Sequence, residues 1–453
     1  MAFPPNFTWG AATSSYQIEG AVNVDGRKPS IWDTFSATPG KTFNGDTGAI
    51  ACDHYNRYKE DVALMKEIGL KAYRFSIAWP RVLPDGRGSV NKAGLDFYSR
   101  LVDELLEAGI TPWATLYHWD MPQQIYLEGG WLNRSTGDAF SEYSRVMAEC
   151  LGDRVTDWMT FNEPQCFLGL GYEAGVHAPG LKSSRFELMT GLHNHLVAHG
   201  KSVDALRSVG GSRFNIGYVP TTQAMIPFNE TPQEVEATRK AFFSYTPQSS
   251  GMWTISAYTD PVFLSQYPSD VLHAIEPFLP AGWEKDMADI GGKTDFCGIN
   301  LYSGYRVKKN DTGVEHVPFP SGRPQTAMKW YVEPETLRWP PRFLSERYGK
   351  PVVICENGLS SLDWKHLDGK IHDSTRIDFT NRYLLELEKA IDDGAQIAGY
   401  FHWSLMDNFE WGEGYRERFG LIHVDFATLE RTNKDSGYWY KKVMETNGAS
   451  LHQ

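Results

Sequence analysis

One pattern runs along this chain from end to end: a helical stretch, one or two glycines, then a short apolar strand. In "LDFYSRLVDELLEAG" the residues Leu95, Tyr98, Leu101, Val102, Leu105 and Leu106 share one helical face, Gly109 ends the helix, and "ITPWATLYHW" follows directly. Glycine suits that junction because the residue closing a helix often takes a left-handed backbone, which costs a residue without Cβ very little. The order then recurs. "LMKEIG" precedes "LKAYRFSIAW", "VMAECLG" precedes "VTDWMTFNEP", "RSVGG" precedes "RFNIGYVP", "ADIGG" precedes "DFCGINLY", "SERYG" precedes "PVVICENG", and "IDDG" precedes "QIAGYFHWSL". With the first example that makes seven copies, and an eighth strand-like segment, "FTWGAAT", opens the chain before any helix.

Strands alternating with helices imply a parallel α/β sheet, and eight such units close a (β/α)8 barrel. The expected fold is therefore a single (β/α)8 TIM barrel with elongated βα loops forming a mouth, one domain over residues 1–453; a doubly wound open sheet is the alternative. A chain of 453 residues with 41% hydrophobic content can fill such a core. Neither a Pro/Ser-rich linker nor a low-complexity tract divides it, only longer insertions around 221–250 and 303–340.

Charge narrows the partners. A formal net charge of -12 leaves no basic face for nucleic acid or an anionic membrane surface. The cysteines Cys52, Cys150, Cys166, Cys297 and Cys355 lack CxxC spacing and are odd in number, which argues for reduced thiols and a cytoplasmic setting. The N-terminus has no basic region followed by an apolar stretch, and no run of 18 apolar residues occurs. A small-molecule ligand is expected, with no nucleic acid and no membrane; oligomeric state stays open.

In a barrel of this kind the C-terminal strand ends build the working face. "TFNEP" ends the fourth strand on Glu163 and "ICENG" ends the seventh on Glu356, so two carboxylates reach one mouth from opposite lips. Each alone has an ordinary explanation: a Glu before Pro can start a helix, and a Glu before Asn-Gly can precede a turn. Together they suit glycoside hydrolysis, in which one carboxyl protonates the leaving oxygen and the other attacks the anomeric carbon or activates water. The same strand ends and loops carry Gln17, Glu19, His118, Trp119, Asn162, Asn300, Tyr302, Trp403, Glu410 and Trp411. Aromatic faces cover the C–H patches of a sugar ring while amides, carboxylates and imidazole bond its hydroxyls.

Other motifs point to structure. His195 and His199 in "HLVAH" stand at i,i+4 without the Glu of HExxH, on a segment that should pack as a barrel helix, and no metal site is assigned. "GGKT" has Met287 where a phosphate loop needs its first glycine and precedes a strand instead of following one. "GLGYEAG" has the wrong spacing for a dinucleotide fingerprint.

The segments "FTWGAATSSYQIEGA", "IWDTF", "YRFSIAWPR", "LYHWDMPQ", "TFNEP", "ICENG" and "WSLMDNFEW", in this order, resemble glycoside hydrolase family 1, the β-glucosidase family, from about Phe3 to about Val443. The resemblance implies a retaining barrel enzyme without cofactor, acting on terminal β-glucosyl residues of β-glucosides and short cello-oligosaccharides in cellulose breakdown, with fucosides and galactosides as side substrates. It makes Glu163 the acid/base and Glu356 the nucleophile. Gln17, His118, Asn162, Glu410 and Trp411 match positions that grip the glycone, Trp403 the platform beneath it, and Arg74 and Tyr302 groups that hold the nucleophile. Asn300 matches a further lining position and Trp330 an aromatic wall on the leaving-group side; Trp119 follows His118 in the same loop. Thioglucosidases replace the acid/base Glu with Gln, and members acting on 6-phosphosugars lose the Glu-Trp pair; Glu163, Glu410 and Trp411 are all present. Gln165 stands where many members carry Trp. A non-catalytic sugar-binding relative is the rival function, but it has no need of both glutamates. Transglycosylation, in which a sugar or alcohol intercepts the same intermediate, stays open.

Overall fold

The computed structural model describes residues 3–453. Eight parallel strands form a closed barrel: β1 (Thr8–Ala12), β2 (Ala72–Ser76), β3 (Thr111–Tyr117), β4 (Asp157–Asn162), β5 (Asn215–Val219), β6 (Phe296–Asn300), β7 (Val352–Asn357) and β8 (Ile397–Trp403). Neighbours in the chain are neighbours in the sheet, and β1 closes it by pairing with β8 as well as β2. This is the TIM barrel that the repeated unit predicts, and each unit delivers one strand. An open sheet is excluded by the β1–β8 pairing.

Two apolar layers hold the barrel together. Inside it, Ala72, Trp113, Met159, Val219, Phe296, Val353 and Phe401 pack as one buried cluster. Outside, a larger cluster lies between the strands and the surrounding helices. Helix α1 (Lys92–Glu107) shows how the pattern works: Phe97, Tyr98, Leu101, Val102 and Leu105 are buried, at the spacing of one helical face. Leu106 departs from the expectation and is 42% exposed, because its place one residue past Leu105 turns it off the face that Phe97 completes.

The glycines at the helix ends serve two purposes. Gly109 has φ 75°, the left-handed turn expected of it. Gly152 instead has φ -71°, and a Cβ there would lie 2.4 Å from the Ala148 carbonyl oxygen and 2.5 Å from the Phe214 ring. At that junction close approach, not backbone handedness, requires glycine.

The two insertions come together. Ala224–Pro227, after β5, pairs in parallel with Gly304–Asn310, after β6, which turns back antiparallel onto Gly313–His316. Helix α2 (Pro232–Phe243) begins at the Thr231 cap, whose hydroxyl accepts from Glu234 N–H, and buries Phe242 and Phe243. Sequence periodicity gave no hint that these distant loops share a sheet.

His195 and His199 lie wholly buried on helix α3 (Arg185–Gly210), bonded to Tyr218 and to Thr160 and Thr294. Burial pushes both imidazoles down to about 3, so they are neutral core groups. Among the described residues no helix is long and apolar enough to cross a membrane, and no group of His, Cys, Asp and Glu could hold a metal ion.

Candidate active site

Both glutamates sit where a strand loses its regular register. The β4–β5 pairing shifts between Met159 and Asn162, and the β6–β7 pairing shifts between Ile354 and Glu356. Strand residues alternate sides, so Cys355 inside the barrel should send Glu356 outward. The irregularity breaks the alternation and both face the interior, as bulges do beside active sites. Glu163, one residue past β4, has φ 46°, and its N–H donates to the Val219 carbonyl at 2.7 Å. Trp119 and Trp411 also have positive φ, at 78° and 50°. Strained backbone of this kind persists where surrounding structure enforces it.

A cavity of about 550 Å3 opens over the strand ends, lined by Glu163, Glu356, Glu410, His118, Trp119, Tyr302, Trp330, Trp403 and Trp411 among others. Arg74, Gln17, Asn162 and Asn300 are also wholly buried but stand beneath this lining and hold it in place.

Arg74 is the hub of that layer. Its Nη1 donates to Glu356 Oε1 at 2.6 Å and its Nη2 to Asn162 Oδ1 at 2.6 Å, while Nε reaches Thr115. The Tyr302 hydroxyl donates to the other Glu356 oxygen at 2.7 Å. Asn300 Nδ2 donates to Asn162 Oδ1 at 3.0 Å and to Glu163 Oε1 at 2.9 Å. The Asn162 amide in turn donates to His118 Nε2 at 3.1 Å, which fixes a neutral imidazole with its proton on Nδ1. Burial, then the Arg74 charge, pushes His118 well below its usual range. His118 Nδ1 has no partner, so its N–H is free for an acceptor oxygen.

The aromatic walls are equally fixed. Trp411 packs at a tilt against Trp119 and Trp32, each at 4.5 Å between ring centroids, and its ring lies 8° from parallel to Tyr16. Trp403 lies 22° from parallel to His118, and Tyr302, Trp330 and Phe419 pack together in the same apolar cluster as Trp403. Gln17 reaches the Glu410 loop from below: its Nε2 donates to Asn408 Oδ1 and the Phe409 carbonyl at 2.9 Å each, and its Oε1 accepts from Ser14.

The carboxyls differ in charge state. Burial first, then repulsion from Glu356, raises Glu163 to about 7. Burial also raises Glu356, but the Arg74 charge and the bonds from Tyr302 and Arg74 oppose it. Glu410, half-buried and facing both other glutamates, is pushed up to about 8 by desolvation and then by their charges, and its Oε2 has no partner. The pattern is one carboxyl held by a cation and two that keep their protons near neutral pH.

Sequence reasoning misplaced one candidate and missed several. Glu19 does not line the cavity: its two oxygens are taken by Arg81 at 2.9 Å and Tyr98 at 2.6 Å, a buried structural pair. Gln165 is also wholly buried, where it accepts from Thr221 N–H. Cys166, His177, Leu170, Met225, Phe242 and Trp253 all line the cavity. Cys166 and Leu170 carried a usable signal, since they follow Glu163 on the next helical turns; the others come from loops without a period.

Across residues 1–449 the chain matches the family model described as glycosyl hydrolase family 1. The chain belongs to this family. It is 45% identical to beta-glucosidase A of Thermotoga maritima over 98% of each chain, and 39% identical to a bifunctional beta-D-glucosidase/beta-D-fucosidase of Bifidobacterium breve over 99% of each. A solved structure of the Thermotoga maritima family 1 enzyme in complex with glucoimidazole superposes with a TM-score of 0.90 at 45% identity, covering 99% of both chains. Glycosyl hydrolase family 1 is a retaining family, so the chemistry to be assigned to these residues is a double displacement.

Proposed function

We propose that this chain is a retaining, exo-acting β-glucosidase that removes the non-reducing terminal β-D-glucosyl residue from β-glucosides and short cello-oligosaccharides, with side activity on β-fucosides and β-galactosides. The observation that carries it is the unequal pair of carboxyls: Glu356 ion-paired to Arg74, and Glu163 raised to about 7 facing it. Glu356 attacks the anomeric carbon while Glu163 gives its proton to the leaving oxygen, and the glycosidic bond breaks. Forming the ester removes the Glu356 charge that raises Glu163, so the Glu163 carboxyl becomes more acidic as its task changes to accepting a proton from water. Water then attacks the anomeric carbon and Glu356 leaves.

The names of the two relatives support glucose, with fucose beside it, as the glycone. His118 Nδ1–H and the free Glu410 oxygen supply a donor and an acceptor for ring hydroxyls, with Trp403 and Trp411 as apolar faces. Gln17 and Asn162 serve the glycone grip from beneath, Gln17 through the Glu410 loop and Asn162 through His118. Trp119 holds the lip through its bond to the Asn162 carbonyl, and Trp330 walls the leaving-group side. The same reading places one catalytic domain over the whole chain, in the cytoplasm, in cellulose breakdown; five cysteines without a disulfide agree with a reducing compartment. A kinetic panel of aryl β-glucoside, β-galactoside, β-fucoside and cellobiose tests it. The expected order puts glucoside and fucoside first; absence of turnover on the aryl glucoside would contradict it.

A further inference from the structure

Six charged side chains meet without lining the cavity: Asp363, Asp373 and Asp407 against Arg376, Arg418 and Lys434. They are at most 3% exposed, apart from Arg418 at 19%. Lys434 is the centre: its Nζ donates to Asp363 Oδ2 at 2.6 Å and to Asp407 Oδ1 at 2.7 Å. Arg376 Nη2 also meets Asp363 Oδ2 at 2.7 Å, Arg376 Nη1 bonds Asp373, and Arg418 Nη1 donates to Asp407 Oδ2 at 2.7 Å. Burial raises the Asp363 and Asp407 carboxyls, but the Lys434 charge, with Arg376 beside the first and Arg418 beside the second, outweighs it and holds both below the ordinary range. Replacing such a buried cluster by apolar side chains of similar volume is often neutral or stabilising, so stability alone does not account for it.

What the cluster holds is the loop that carries Glu410 and Trp411. Asp407 opens that loop and also closes it: its Oδ1 accepts from Gly420 N–H at 2.9 Å, and its own N–H donates to the Ile422 carbonyl at 2.9 Å. The two ends of the loop touch, since a Cβ on Gly420 would lie 2.1 Å from Asp407 N. From Asp407 to Glu410 each residue is then fixed in turn. Asn408 Oδ1 and the Phe409 carbonyl accept from Gln17, Phe409 N–H donates to the Gln17 carbonyl, and Glu410 N–H donates to the Gly414 carbonyl at 2.7 Å. Lys434 comes from elsewhere, just before the helix Asp435–Glu445, and through Asp363 it joins the base of this loop to the loop that follows Glu356 on β7. We propose that Lys434 is a positioning residue for the glycone site: it seats Asp407, which closes the base of the 407–420 loop, and so sets where Glu410 stands against Glu356. This inference rests on the glucosidase reading and adds to it a residue that does not reach the cavity.

A double-mutant cycle with Glu410 tests it on an aryl β-glucoside. In the parent, Lys434→Met should raise KM and lower kcat/KM by about tenfold, a coupling of the size found between residues of one network. In the Glu410→Ala background, where the group that the loop places is already gone, the same change should lower kcat/KM by less than about threefold. Stability falls in either case, because Asp363 and Asp407 lose a buried cation; the coupling decides. Arg347→Met, which breaks the pair with Asp260, is the control: it should destabilise the fold while changing kcat/KM by the same factor in both backgrounds. Should Lys434→Met not fold, Asp407→Asn cuts the same link from its other end, keeps the side-chain shape, and goes through the same cycle with the same expected outcome. Equal losses in both backgrounds, or a coupling as large for Arg347→Met, would overturn the inference while turnover by the parent still upholds the glucosidase reading. A parent without turnover would bring down both.

Discussion

Arg74 Nη1 and Glu356 Oε1 meet at 2.6 Å, with the two side chains only 1% and 4% exposed. A carboxylate taken so far from water stays charged because a fixed cation and the Tyr302 hydroxyl replace its lost hydration. The pairing therefore sets how nucleophilic Glu356 is at a given pH.

Removing the cation exposes that dependence. In Arg74→Met the cation's influence on Glu356 is gone and the Tyr302 bond is left to oppose burial, so its pKa moves further up. Ionised Glu356 is then lost at higher pH than before, and the acid limb of kcat/KM shifts upward. At neutral pH kcat/KM should drop by at least about tenfold. Breaking a buried pair costs about 3–5 kcal/mol of stability, read from denaturant unfolding. An unmoved acid limb would show that Arg74 does not tune the nucleophile.

Glu163 gives the opposite limb. The acid must be protonated in the free enzyme, and its pKa of about 7 places the fall of kcat/KM near that pH as pH rises. Repulsion from Glu356 is one cause of that value, so carboxyl 13C titration of the Glu356→Gln variant should find Glu163 lower than in the parent. An unchanged titration would mean that burial alone raises it.

Leaving-group dependence tests the same residue by chemistry. Glu163→Ala should lose far more activity on alkyl glucosides than on activated aryl glucosides, and azide should restore turnover with β-glycosyl azide as product. Equal losses on both, without rescue, would remove Glu163 from the acid/base role.

Glu410 addresses the glycone. No Lys or Arg lines the cavity among the described residues, while Glu410, Glu356 and Glu163 all do. A 6-phosphate would find no cation, so 6-phosphoglucosides should be turned over at least about a hundredfold less well than glucosides, two lost charge-assisted bonds' worth. Glu410→Ala should lower kcat/KM for an aryl β-glucoside by at least about tenfold, since leaving a buried hydroxyl without its partner costs about 1–3 kcal/mol. Parent-like kinetics in this variant would detach Glu410 from the substrate.

What the sequence revealed follows from which features are periodic. Helix, glycine and strand repeat at spacings fixed by backbone geometry, so all eight strands could be counted, and with them the strand ends that carry Glu163 and Glu356. Glu19 could not be told from its neighbours, because only the fold brings Arg81 and Tyr98 to its oxygens. Nor could periodicity show that Met225 and Tyr305, from insertions after different strands, are register partners in one small sheet. The part of the cavity that Met225 and Tyr305 line depends on that pairing, which leaves no trace in either local pattern.

The central claim is that Glu356 forms a covalent bond to the sugar. Incubation with an activated 2-deoxy-2-fluoro-β-glucoside, followed by proteolysis and peptide mass analysis, should find one fluoroglucosyl group per chain, on Glu356. An adduct on any other residue, or full inactivation with no adduct on Glu356, would contradict the account.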